Sequence, residues 1–121
     1  MKITVLADDR RATDHCLAEH GLSLLIELEE ARVLLDFGQS DLFLQNAMSL
    51  GIDLGSVDVA VLSHGHYDHA DGLAYIKNKK IFCHPECFLK RYSKINGKYI
   101  GMAMSKKELS KNNELILSKE P

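Results

Sequence analysis

The chain of 121 residues carries 15 Lys and Arg, 17 Asp and Glu and six His, a formal charge of −2, with 45% hydrophobic and 26% charged side chains. That size accommodates one core rather than two, and the composition excludes a disordered chain, a collagen-like repeat and a disulfide-stapled miniprotein. The longest apolar runs are too short for a membrane span or a secretory signal, and Cys16, Cys83 and Cys87 form an odd set, so the reading is a cytoplasmic protein with reduced thiols.

In chain order, Met1 to Ala7 alternates as a strand, and the polar stretch Asp8 to Glu19 is a long loop. Leu22–Leu28 and Arg32–Asp36 are β-type runs separated by Glu29, Glu30 and Ala31, the pattern of a hairpin. Ser40 or Asp41 caps a helix ending before Gly51. Val57–Leu62 reads as a buried strand, Ala70–Ile76 as a short helix interrupted by Gly72, and Lys80–Cys83 as a short strand. Pro85 opens a predicted helix through Tyr92, and Ile100 belongs to a short strand. Ser105 and Glu108 have capping-box spacing, and Glu114–Leu117 forms a last strand. Strand hairpins followed by alternating strands and helices predict one α/β unit over residues 1–121.

The chemistry concentrates in Ser63-His64-Gly65-His66-Tyr67-Asp68-His69. Residues two apart on extended backbone point the same way, so His64 and His66 can converge on one cation. Asp68 and His69 lie one turn further on and can face a second. Imidazoles and a carboxylate without thiolates suit Zn²⁺, Fe²⁺ or Mn²⁺, with zinc the first choice, in an open site rather than a closed structural one.

This His-x-His-x-Asp-His segment after a hydrophobic strand resembles the signature of the metallo-β-lactamase superfamily. Ala18-Glu19-His20-Gly21-Leu22-Ser23, Leu34-Leu35-Asp36-Phe37-Gly38-Gln39-Ser40, His84-Pro85 and Lys90-Arg91-Tyr92 are similar to the branch labelled dihydropterin-methyl-aminobenzene-ribofuranosyl-phosphate synthase. The resemblance implies an αββα sandwich, of which this chain supplies about one αβ half and stops near the start of the second. It implies a first metal on His64 and His66, a second on Asp68 and His69, and Asp36 orienting the metal loop by hydrogen bonds. It also places the segment around His20 close to the metals. The superfamily's three later ligands, a His, a bridging Asp and a last His, are not supplied by this chain, since His84 arrives too early.

Other groups read more plainly. Cys83 and Cys87 are expected in the core, and His15 at the surface. His84 closes a strand on the edge where the metal loop opens, which allows a substrate or supplementary metal contact as well as a helix cap. Ser63 lacks the Gly-x-Ser-x-Gly surroundings of a hydrolase nucleophile.

Residues 1–76 hold four basic and 13 acidic side chains, a balance of −9, whereas residues 77–121 hold 11 basic and four acidic ones, a balance of +7. The basic residues show no nucleic-acid motif, but Lys90 and Arg91 suit a small anionic substrate. The expected activity is metal-dependent hydrolysis of an ester, amide or phosphoryl group, with Asp68 orienting the water. The alternative is a non-catalytic metal-binding half-domain or one subunit of a split enzyme. A sheet with helices on one face only leaves the other face apolar, which predicts a homo-oligomer, antiparallel in its charged halves, or a complementing chain.

Overall fold

A computed structural model describes residues 1–10 and 16–120. His15 therefore lies outside the described residues. Six strands form one sheet in sequential order: β1 (Lys2–Ala7), β2 (Ser23–Glu27), β3 (Arg32–Leu35), β4 (Val59–Val61), β5 (Lys80–Cys83) and β6 (Glu114–Leu117). The pairs β1–β2 and β2–β3 are antiparallel, while β3 to β6 run parallel. This is the mixed α/β architecture of about one αβ half. Among the described residues no helix is long and apolar enough to cross a membrane.

Period-2 alternation decides which side of the sheet carries the core. Leu6, Leu25, Leu34, Ala60 and Ile81 are buried on one face, with Phe43 and Ala47 of helix α1 (Leu42–Ser49) packed among them. Phe37 and Phe43 meet edge to face with ring centroids 6.2 Å apart. Buried Asn46 ties α1 to the first strand: its Nδ2 donates to the carbonyl of Leu6 at 2.8 Å and its Oδ1 accepts from Leu17 N. Asp41 makes no side-chain cap on α1. Ser40 does, its Oγ accepting from Leu42 N at 3.1 Å while donating to Glu19 Oε2.

Three elements differ from the sequence-based expectation. The helix placed at Ala70–Ile76 begins earlier, as α2 (Tyr67–Ala70) within the His motif, and continues as a 3₁₀ turn at Asp71–Tyr75. The helix placed over Pro85–Tyr92 is a single 3₁₀ turn, Pro85–Phe88, because the backbone turns extended at Leu89. The strand around Ile100 reduces to isolated bridges, Tyr92 with Tyr99 and His66 with Gly101, which lay this segment along the His motif. The capping box forms as expected at the start of α3 (Lys106–Ser110).

Candidate metal centre

The parallel strands all end on one edge, and the site assembles there, as ligand sites do outside the carboxyl ends of parallel strands. Asp36 follows β3, Ser63 to His69 follow β4, and His84 follows β5. A cleft of about 800 Å³ lies at the opposite edge among Asn78, Lys79, Lys80 and Lys111 and, among the described residues, holds no cluster of metal-ligating side chains. Chemistry, not volume, places the site.

Asp36 is the centre of the arrangement. It is 1% exposed and sits at φ 57°, a left-handed conformation that Asp tolerates better than most residues. Its carbonyl accepts from the buried Ser23 hydroxyl at 2.8 Å, which anchors that turn. Its carboxylate is fully engaged. Oδ1 accepts from Ser63 N at 2.7 Å, and Oδ2 accepts from Ser63 Oγ at 2.6 Å and His69 Nδ1 at 2.7 Å. Ser63 Oγ in turn lies 2.8 Å from His64 Nδ1. Since the hydroxyl proton goes to Asp36, His64 Nδ1 carries the proton in that contact. Both His64 and His69 are thereby held in the tautomer that leaves Nε2 with a lone pair.

The three imidazoles cluster: ring centroids are 4.8 Å apart for His64 and His66 and 4.3 Å for His64 and His69. Ligand atoms of Asp36, His64 and His69 all lie within 4.8 Å of one another. His64 is held below its ordinary pKa of 6.5 by burial first and then by His69 and His66, which favours the neutral, metal-binding form. Asp68 Oδ2 stands 3.7 Å from His69 Nε2 and 3.1 Å from His20 Nε2. His20 and Asp68 line a small cleft of about 210 Å³ with Asp8, Asp9 and His69.

Two glycines permit this approach. A Cβ on Gly65 would fall 1.9 Å from the Cys87 carbonyl oxygen, and one on Gly21 (φ 148°) 2.4 Å from that of Asp68. Beneath the loop Cys83 and Cys87 are buried, and a hydrogen bond between them pushes the Cys83 thiol up and Cys87 down.

His84 both caps and borders. Its Nδ1 accepts from Glu86 N at 3.0 Å, and it shares a cleft of about 650 Å³ with Val61, Ser63, Phe82 and Lys119. Lys90 is exposed, and Arg91 donates from Nη1 to the Leu89 carbonyl; among the described residues neither bonds to the cluster. Ser63 is the residue that sequence reasoning passed over. Tested only as a nucleophile, it is instead the link between Asp36 and His64. A hydroxyl residue directly before the first His was the available signal.

The metallo-β-lactamase superfamily model matches residues 18–116. The chain belongs to that superfamily. An uncharacterised protein of Methanocaldococcus jannaschii is 39% identical over 93% of this chain and 46% of its own length. The 7,8-dihydropterin-6-methyl-4-(β-D-ribofuranosyl)-aminobenzene-5′-phosphate synthase of the same organism is 37% identical over 73% of this chain and 34% of its own length. A crystal structure of a metal-dependent hydrolase of the β-lactamase superfamily superposes with a TM-score of 0.83 at 38% identity, covering 98% of this chain and 42% of that one. This superfamily member thus spans less than half the length of each of these three relatives. Its fold is that of metal-dependent hydrolases, and its N/O donor set fits a divalent cation.

Proposed function

We propose that this chain is the metal-holding half of a metal-dependent hydrolase acting on a small anionic substrate. The observation that carries the reading is the Asp36–Ser63–His64 and Asp36–His69 bracing, which fixes two imidazoles with their Nε2 atoms available. Metal-ligating histidines characteristically give their other ring N–H to a carboxylate or a similar partner, which fixes tautomer and ring orientation. His64, His66 and His69 with Asp68 would hold the cation, zinc by preference. A bound divalent cation supplies Lewis acidity and a water activated near neutral pH.

The chain's own groups supply the rest. Asp68 Oδ2, facing both His20 and His69, orients the attacking water and accepts its proton. His84 accepts at Nδ1, so its neutral ring carries the proton on Nε2, a donor for an anionic substrate or leaving group. Lys90 and Arg91 add positive charge to the adjoining segment. The identity to the dihydropterin phosphate synthase supports a phosphorylated pterin-type substrate. The length relation favours a second reading, in which the chain holds metal but turns over only with a complementing half.

Replacing His64 and His66 together with Ala should remove bound metal, measured by elemental analysis. Retention of metal would overturn the assignment. Hydrolysis of a generic phosphodiester by the zinc-loaded chain, present or absent, separates the two readings.

A further inference from the structure

Two buried nucleophiles take no part in the chemistry above. Cys83 ends β5, and Cys87 sits in the 3₁₀ turn Pro85–Phe88. The turn that joins them is tight and held at both ends. Pro85 presets its start, Cys87 N donates to the His84 carbonyl at 3.0 Å, and Ser118 N donates to the Cys83 carbonyl at 3.0 Å. The result is a pair of thiols in hydrogen-bond contact, Cys83 donating to Cys87. That bond above all, with the His84 main chain and the Arg91 charge, holds Cys87 down to about 7 against the opposing effect of burial. One sulfur of the pair therefore reaches its nucleophilic thiolate form near neutral pH, with a resolving thiol already beside it. Cys16 lies apart, lining a different cleft with Val5, Leu17 and Asn46.

The pair is mechanically joined to the metal loop. Gly65, the spacer between His64 and His66, rests directly on the Cys87 main chain: a Cβ there would fall 1.9 Å from the Cys87 carbonyl oxygen and 3.1 Å from its Cα. Packing that close leaves no slack, so a shift of Cys87 passes to the backbone between the two imidazoles. Cys83 also lines the cleft of about 650 Å³ that holds Ser63 and His84. A small neutral oxidant thus approaches the pair by the mouth of the metal site, a route that stays open wherever a substrate can reach the metals.

We propose that Cys83 and Cys87 form a reversible disulfide when the protein meets hydrogen peroxide, and that closing this bond loosens the hold of the His64–His66 loop on zinc. The Cys87 thiolate attacks one peroxide oxygen, the O–O bond breaks, and a sulfenic acid and hydroxide result. The Cys83 sulfur then attacks the sulfenic sulfur, its proton leaving with the displaced hydroxide. Two thiols and one peroxide become one disulfide and two waters, and a dithiol reductant returns the two electrons. Drawing the sulfurs from hydrogen-bond contact into a covalent bond moves the Cys87 main chain, and Gly65 with it. The zinc half of the inference rests on the metal-site reading above; the disulfide does not.

Stoichiometric peroxide on the folded, zinc-free full chain should remove two hydrogens from the intact mass, and peptide mapping should place the new bond between Cys83 and Cys87. Both thiols still free, Cys87 found as the sulfinic acid, or a bond to Cys16 or to another chain would each overturn the disulfide. By chelator competition the oxidised chain should hold zinc about tenfold more weakly, with dithiothreitol restoring the original affinity. Zinc saturation should correspondingly raise the midpoint of the disulfide by about 30 mV, the equivalent of that tenfold. Equal zinc affinity in the oxidised and reduced chains would overturn the coupling. Cys87→Ala, and independently Cys83→Ala, should bind zinc as the reduced parent does and lose all response to peroxide; a response that survives in either variant would place the effect outside the pair. His64→Ala/His66→Ala should lose zinc and still form the disulfide. Zinc retained by that variant would overturn the metal reading alone, whereas a missing disulfide in it would overturn this proposal.

Discussion

Replacing Asp36 with Asn isolates the bracing from every other property of that position. Asn tolerates the left-handed backbone at φ 57° as well as Asp does and fills the same space, so neither strain nor a cavity intervenes. What changes is hydrogen-bond polarity. Three donors converge on the carboxylate: Ser63 N at 2.7 Å, Ser63 Oγ at 2.6 Å and His69 Nδ1 at 2.7 Å. In either amide orientation the new NH₂ faces at least one of these donors. One or two charge-assisted bonds are lost, at about 1.5–3 kcal/mol each, partly offset because a buried charge no longer has to be desolvated. The net loss is roughly 2–4 kcal/mol, read as a lowered urea midpoint in chelator. His64 and His69 are also released to the tautomer with Nε2 protonated, so zinc affinity, measured by chelator competition, should fall about 10- to 100-fold. An unchanged midpoint together with zinc affinity within about twofold of the parent would refute the bracing argument.

Ser63→Ala should keep the fold yet weaken zinc binding about tenfold, since it releases His64 alone; Ser63→Thr should restore most of it, both read by the same competition assay. Gly65→Ala places a Cβ 1.9 Å from the Cys87 carbonyl oxygen, a backbone clash that should lower stability by about 1–3 kcal/mol in urea melts. Because burial, His69 and His66 hold His64 below 6.5, the unfolded chain takes up that proton at a higher pH than the folded one. Metal-free stability should therefore be complete above pH 6.5 and decline as pH falls through the folded value. Thermal melts in chelator from pH 7.5 to 5 check this, and His64→Gln should flatten the profile.

Local patterning in the sequence was enough to place the six strands, the β2–β3 hairpin, α1 and the α3 capping box, because alternation, turn residues and caps act within a few residues of one another. It also marked the His motif, whose ligands are near neighbours in the chain. Short helices were less legible. Pro85 marks a start, but only the extended backbone at Leu89 decides that one 3₁₀ turn follows rather than two helical ones. The resemblance marked Asp36 as orienting the metal loop, but the link through Ser63 to His64 was not legible. Asp36 and Ser63 stand 27 residues apart, and Ser23 lies 13 residues from Asp36. Parallel pairing of β3 with β4 brings their ends to one edge, and only there does an ordinary turn acid become the acceptor that sets two histidine tautomers.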